Sequence, residues 1–186
     1  MNLTLIGDNV LSAGLQGRWR SGRDNDGDLE GFDKVKWAVE GGAFARWRPI
    51  EWLRLRGEVR HGFGGHSSWG ANAGADVFRR EGPWVMSVGA RVRWADSDFT
   101  RTFFQVTPAE AERSLLGVQP YAPHGDFLSA GGLVAVEYRW NRRWSFSADA
   151  EYHRLMADAA DSPIVADLGS ADQFRVTVGV RHTFGQ

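Results

Sequence analysis

The stretch WVMSVGARVRW, Trp84 to Trp94, alternates without a break between two kinds of side chain. Trp84, Met86, Val88, Ala90, Val92 and Trp94 form one set, and Val85, Ser87, Gly89, Arg91 and Arg93 form the other. Period-two alternation marks a β-strand whose faces meet different surroundings. In a soluble sandwich the apolar set would point at a core. In a membrane barrel it would point at lipid, and the arginines would line the inside. The tryptophans decide between the two. Ten residues separate them, which at about 3.3 Å per residue and a tilt of about 40° spans roughly 25 Å, the height of an outer-membrane apolar band. Trp37 and Trp47 repeat the spacing, on a face shared with Val39, Gly41, Ala43 and Ala45. Two bilayer interfaces give indoles a reason to sit at both ends of one face; a soluble core gives none.

The same template recurs along the chain. Leu11, Ala13, Leu15, Gly17 and Trp19 alternate with Ser12, Gly14, Gln16, Arg18 and Arg20, and Leu53–Arg60 and Ala71–Val77 behave alike. Further on, Val134, Val136, Tyr138 and Trp140 form one face of a strand, as do Trp144, Phe146, Ala148, Ala150 and Tyr152. Phe174, Val176, Val178, Val180 and Phe184 close the series. Eight full strands are predicted, preceded by a fragment at Leu3–Ile6. Tight turns at 49–51, 80–83 and 141–143 alternate with longer connections near 21–35, 62–68, 96–126 and 155–171. This long-and-short rhythm is the habit of outer-membrane barrels. The predicted fold is therefore all-β, an antiparallel transmembrane β-barrel. Trp19, Trp37, Trp47, Trp84, Trp94, Trp140, Trp144 and Phe184 are its expected lipid-interface aromatics.

Bulk properties set looser bounds. The 186 residues suffice for one domain, and the net charge of −1 gives no push toward nucleic acid. There is no cysteine to build a disulfide framework or a thiolate metal site. No apolar run is long enough for a helical span. Mean hydropathy is −0.37, which a barrel showing lipid every second residue shares with a soluble domain.

Two loops carry a resemblance. TFFQVTPAEAERS (102–114) and RLMADAADSPIVADLGSADQF (154–174) resemble the signatures of the MltA-interacting protein family, MipA/OmpV. YRWNRRWSFSADAEYHRL resembles that family's penultimate hairpin, and GRDNDGDLE its acidic loop. The final Thr177-x-Gly179-x-x-His182-x-Phe184 resembles an outer-membrane C-terminal signal, with His182 where an aromatic is usual and Gly185-Gln186 trailing. The resemblance implies a non-enzymatic outer-membrane barrel with no cofactor. Its implied partners are outer-membrane lipid and lipopolysaccharide, a murein lytic transglycosylase and a peptidoglycan synthase, in a Gram-negative bacterium. It also implies a signal peptide and about three more strands ahead of Leu3, in a parent of twelve, whereas Met1 here opens inside a strand-like segment.

Several clusters invite chemistry. Asp24, Asp26, Asp28 and Glu30 alternate as oxygen ligands can, but Leu29 stands where a calcium loop needs glycine; a solvated acidic loop is expected. His66-Ser67-Ser68 offers a base and a hydroxyl without an evident orienting carboxylate. Asp158 and Asp161 would make an acid pair, yet Ala-Asp-Ser-Pro reads as turn construction around Asp161, Ser162 and Pro163. Thr107-Pro108-Ala109-Glu110 is a capping box opening a short helix to about Leu115, its apolar side at Leu115 and Leu116 packing on the loop.

The lumen row sets Arg18, Arg46, Arg54, Arg56, Arg91, Arg93, Arg139, Arg175 and Arg181 against Glu40, Glu58, Asp76, Glu137, Asp149 and Glu151. An ion-pair network plugging the barrel is expected, since buried charges must be paired. The alternative is a small-solute channel with an arginine-rich lumen. A surface adhesin built from the long loops is a third reading.

Overall fold

The computed structural model describes residues 2–184; Met1 and Gly185-Gln186 lie outside them. Nine antiparallel strands follow one another across a single sheet in sequence order. They are β1 (Asn2–Gly7), β2 (Leu11–Arg20), β3 (Ala38–Ile50), β4 (Leu53–Gly64), β5 (Trp69–Glu81), β6 (Trp84–Ala95), β7 (Phe127–Arg139), β8 (Trp144–Met156) and β9 (Asp172–His182). Every predicted strand is present, and the fragment at Leu3–Ile6 is a paired strand in its own right, with Leu3 opposite Leu15. The pairing carries the alternation across the sheet: Trp47 lies opposite Leu55, Ala71 opposite Trp94, and Trp84 opposite Tyr138.

The expected closure is not there. The strand order runs from β1 to β9 without returning, so β1 and β9 are two free edges and the sheet is open. This corrects the β-barrel, and with it the transmembrane barrel architecture and the enclosed lumen. The physical reason is that alternation fixes which face a residue occupies, whereas closure needs hydrogen bonds between the first and last strands. Among the described residues no helix is long and apolar enough to cross a membrane.

The two faces are unlike in an unusual sense, because the apolar one is outside. Val88, Val134, Val176 and Val178 are all more than half exposed, while Asp76, on the other face, is fully buried. All nine tryptophans are exposed and sit at strand ends. Trp19, Trp37, Trp69 and Trp94 mark the long-loop end, and Trp47, Trp52, Trp84, Trp140 and Trp144 the tight-turn end. Trp19 and Trp37 stack with ring centroids 4.2 Å apart.

The long connections fold into a layer at one end of the sheet. It contains α1 (Ser97–Phe104), α2 (Pro108–Arg113), α3 (Asp158–Asp161) and α4 (Pro163–Ala166). Its small core is Phe32, Val106 and Val118, packed with Leu29, Tyr121, Ile164 and Leu168. The predicted helix from Thr107 ends at Arg113, and its capping box is complete. Leu115 and Leu116 lie beyond it and are exposed rather than packed.

Candidate functional site

The charged face is concave, since residues of β2 to β7 and of β9 line one cavity of about 310 Å³ under the loop layer. An adjoining hollow of about 210 Å³ shares Asn72, Arg93 and Arg175 with it. Three buried carboxylates organise the surface, each clasped by several cations. Asp76 accepts from Arg91 at 2.5 Å and also pairs with Arg56 and, at 3.4 Å, with Arg54. Glu40 pairs with Arg20 and, at 3.0 Å, with Arg60, which also reaches Glu58. Glu151 joins Arg93 at 2.7 Å, His153 at 2.6 Å and Arg175. A carboxylate this enclosed is tolerable only because it is paired and hydrogen-bonded. Gly89 makes room for one of these clusters, as a Cβ there would overlap the Asp76 carboxylate.

Of the remaining members of the expected row, Arg18 lines the cavity and the others stand apart from the three clusters. Arg181 and Glu137 approach only to 3.9 Å, with Arg181 largely exposed. Arg139 and Asp149 enter no ion pair among the described residues, and Arg46 lies over the Phe44 ring instead.

His66, Ser68 and Glu40 come together although only the first two are neighbours in sequence. The His66 Nδ1 lies 2.6 Å from the Ser68 hydroxyl, and its Nε2 lies 3.4 Å from a Glu40 oxygen without a hydrogen bond. Gly62 packs flat beneath the ring, and Phe99 and Phe103 meet it edge-on at 5.7 Å. Burial pushes the imidazole pKa down, outweighing the pull of Glu40, so the ring is neutral at pH 7. Ser68 is 2% exposed, and Glu40 is already neutralised by Arg20 and Arg60. This trio is a packing and hydrogen-bonding hub, not an activated nucleophile, which needs an accessible hydroxyl and a free orienting acid.

In the loop layer, Asp158 receives the backbone N–H groups of His124 and Gly125, both at 2.7 Å. Those bonds hold its carboxyl below the ordinary range. The Tyr121 hydroxyl donates to the Asp158 carbonyl at 2.9 Å. Ser162, fully buried, donates to the Phe104 carbonyl at 2.6 Å. A turn built from local bonds was expected; these bonds instead tie 154–174 to the 96–126 loop. Pro163 opens α4 and is buried, whereas the Asp161 side chain takes no hydrogen bond among the described residues. Opposite them, Thr107 caps α2 ahead of Pro108, and Glu110 receives the N–H of Asp33 at 2.9 Å. In the acidic loop Asp24 pairs with Lys34, and no group of carboxylates or histidines able to hold a metal forms among the described residues.

The two signature loops therefore meet in one structure. A family model described as MltA-interacting protein MipA matches residues 1–184. The chain belongs to the MipA family. Membership places it in an outer-membrane, Gram-negative context related to peptidoglycan biology, among proteins that are generally non-catalytic. No curated protein and no solved structure matches the chain.

Trp52 and Trp69 belong with the strand-end tryptophans; Trp69 opens β5 in phase with Ala71 and Ala73, whereas Trp52 stands in the turn before β4, out of phase with Leu53. The contact of His66 with Glu40 has no local signal, because the β3–β4 pairing creates it.

Proposed function

We propose that this protein is a non-enzymatic outer-membrane scaffold for peptidoglycan-remodelling enzymes, a lytic transglycosylase and a peptidoglycan synthase. The match of the MipA family model to nearly the whole chain carries the reading. Its outward apolar face, edged by tryptophan at both ends, suits contact with outer-membrane lipid and lipopolysaccharide. Apolar patches larger than a few hundred Å² are rare on soluble monomers and mark interaction surfaces. The tight turns at 49–51, 80–83 and 141–143 are the proposed docking surface, opposite the loop layer. An open sheet has no enclosed lumen to conduct through, which removes the basis of the channel reading.

The test is capture of a soluble lytic transglycosylase, lacking its lipid anchor, on the refolded protein in detergent. Specific, saturable retention is expected. Retention no greater than on heat-denatured protein would sink the scaffold reading.

A further inference from the structure

The cavity under the loop layer holds more positive charge than its own carboxylates neutralise. Arg18, Arg20, Arg60, Arg93 and Arg175 line it, against Glu40 alone. Glu58 and Glu151, just outside, pair with Arg60 and with Arg93 and Arg175. Counting both still leaves five guanidiniums to three carboxylates. The surplus falls on one residue in particular. Arg18, an exposed residue, lies opposite Glu40 in the β2–β3 register, yet it makes no hydrogen bond or close ion pair among the described residues, and Glu40 and Glu58 act on it only at longer range. Arg20 and Arg60 have already taken the Glu40 oxygens.

A buried donor without a hydrogen bond faces the same space. With the Ser68 hydroxyl donating to Nδ1, the neutral His66 ring carries its proton on Nε2. That nitrogen is buried, with a Glu40 oxygen 3.4 Å away but no hydrogen bond formed to it. Buried polar groups normally have one, so such an orphan calls for an acceptor. Phe99 and Phe127, in contact at 5.2 Å, give the cavity an apolar wall. Its volume of about 310 Å³ falls at the small end of ligand pockets, which start near 300 Å³.

We propose that this cavity binds a small phosphate monoester with a ring-sized body. The phosphate would meet Arg18 and the His66 Nε2–H, and the ring the Phe99–Phe127 wall. A dianion matches the surplus of two charges better than a monocarboxylate does. Guanidinium suits it because the planar fork donates two parallel hydrogen bonds to phosphate oxygens. The site is independent of the scaffold reading, since it lies on the charged face under the long loops rather than at the tight turns.

The test is calorimetric titration of the refolded full chain with phenyl phosphate, with benzoate and benzyl alcohol as comparators. Phenyl phosphate should bind saturably at one site, more tightly than benzoate, and benzyl alcohol should not bind. Arg18→Gln should weaken binding about tenfold or more, the worth of a hydrogen bond to a charged group. Arg18→Lys should retain part of it. Because Arg18 is exposed and makes no close ion pair, neither change should unfold the protein, and tryptophan emission checks this. Arg79→Gln, an exposed pair partner of Glu81 at the far end of β5, should bind as the parent does. Absence of saturable phenyl phosphate binding would overturn the proposal, as would unchanged binding by Arg18→Gln. Benzoate binding as tightly as phenyl phosphate would overturn the assignment to a phosphate.

Discussion

Gly62 lies directly beneath the imidazole of His66, so close that a Cβ at position 62 would overlap the ring. The contact couples a strand-end glycine to the hub joining Ser68, Glu40 and the aromatic rings of α1. Gly62→Ala should displace the imidazole and break its bond to Ser68. The expected loss is about 1–3 kcal/mol, the usual cost of overpacking. Gly57→Ala is the control, since a Cβ there meets nothing within 4 Å. It should be neutral or slightly stabilising, as strand glycine carries an entropic cost. Denaturant midpoints in detergent for the two variants provide the comparison, and equal midpoints would refute the crowding argument.

Asp158 is the tie between the signature loops. Removing its carboxylate leaves the N–H groups of His124 and Gly125 without their acceptor. Asp158→Ala should cost about 1–2 kcal/mol on the scale of charge-assisted hydrogen bonds, discounted because the site is half-exposed. Asp158→Asn keeps an acceptor oxygen and should lose less. Limited proteolysis gives the local reading: the 121–126 segment should be cut faster in Asp158→Ala than in Asp158→Asn. Cleavage of Asp158→Ala at the parent rate would mean that the carboxylate does not tie the loops together.

What could be read from the chain follows from what each signal is made of. The strands at 84–94 and 144–153 declare themselves because alternation is local, and the structure extends them by only a residue or a few. Openness could not be read, because it is a relation between β1 and β9, whose sequences each look like any other strand. The capping box at Thr107 and Glu110 was visible as a three-residue spacing, yet the reach of Glu110 to Asp33 was not. The same holds for Asp158, whose partners lie more than thirty residues away. Local composition suggested a self-contained turn there; the loop layer supplies the acceptor's real customers.

Acid should loosen this layer in two stages. Burial holds the His66 pKa below its usual 6.5, so as pH falls past that value the unfolded chain takes up a proton that the folded ring refuses. Stability from this group is full above 6.5 and is lost as pH falls through the depressed folded value. Glu110 follows at lower pH. Burial alone would raise its pKa, but hydrogen bonds from Asp33 and Thr107 win and lower it below 4.5. Asp158, held down by the N–H groups of Gly125 and His124, acts below its usual 3.8. Their contributions are present above those values and lost as pH falls through the folded ones. In a series of denaturant midpoints from pH 8 to pH 3, His66→Gln should flatten the upper slope and Glu110→Gln the lower one. A parent protein whose midpoint does not change across the series would contradict both assignments.

The nine exposed tryptophans make the apolar face directly observable. If that face meets lipid, vesicles containing brominated phosphatidylcholine should quench most of the intrinsic emission, because heavy-atom quenching needs near contact. Aqueous acrylamide should quench less with vesicles present than in dilute detergent. Tryptophan favours the boundary between apolar chains and headgroups, where its ring is buried and its N–H stays hydrated. Trp94 shows the same division, with its ring on the apolar face and its Nε1–H donating to Asp126 at 3.0 Å in the loop layer. Asp126→Ala should therefore shift part of the emission without reducing quenching by brominated lipid. Emission indifferent to brominated lipid but fully open to acrylamide would mean that the apolar face is covered by something other than a membrane.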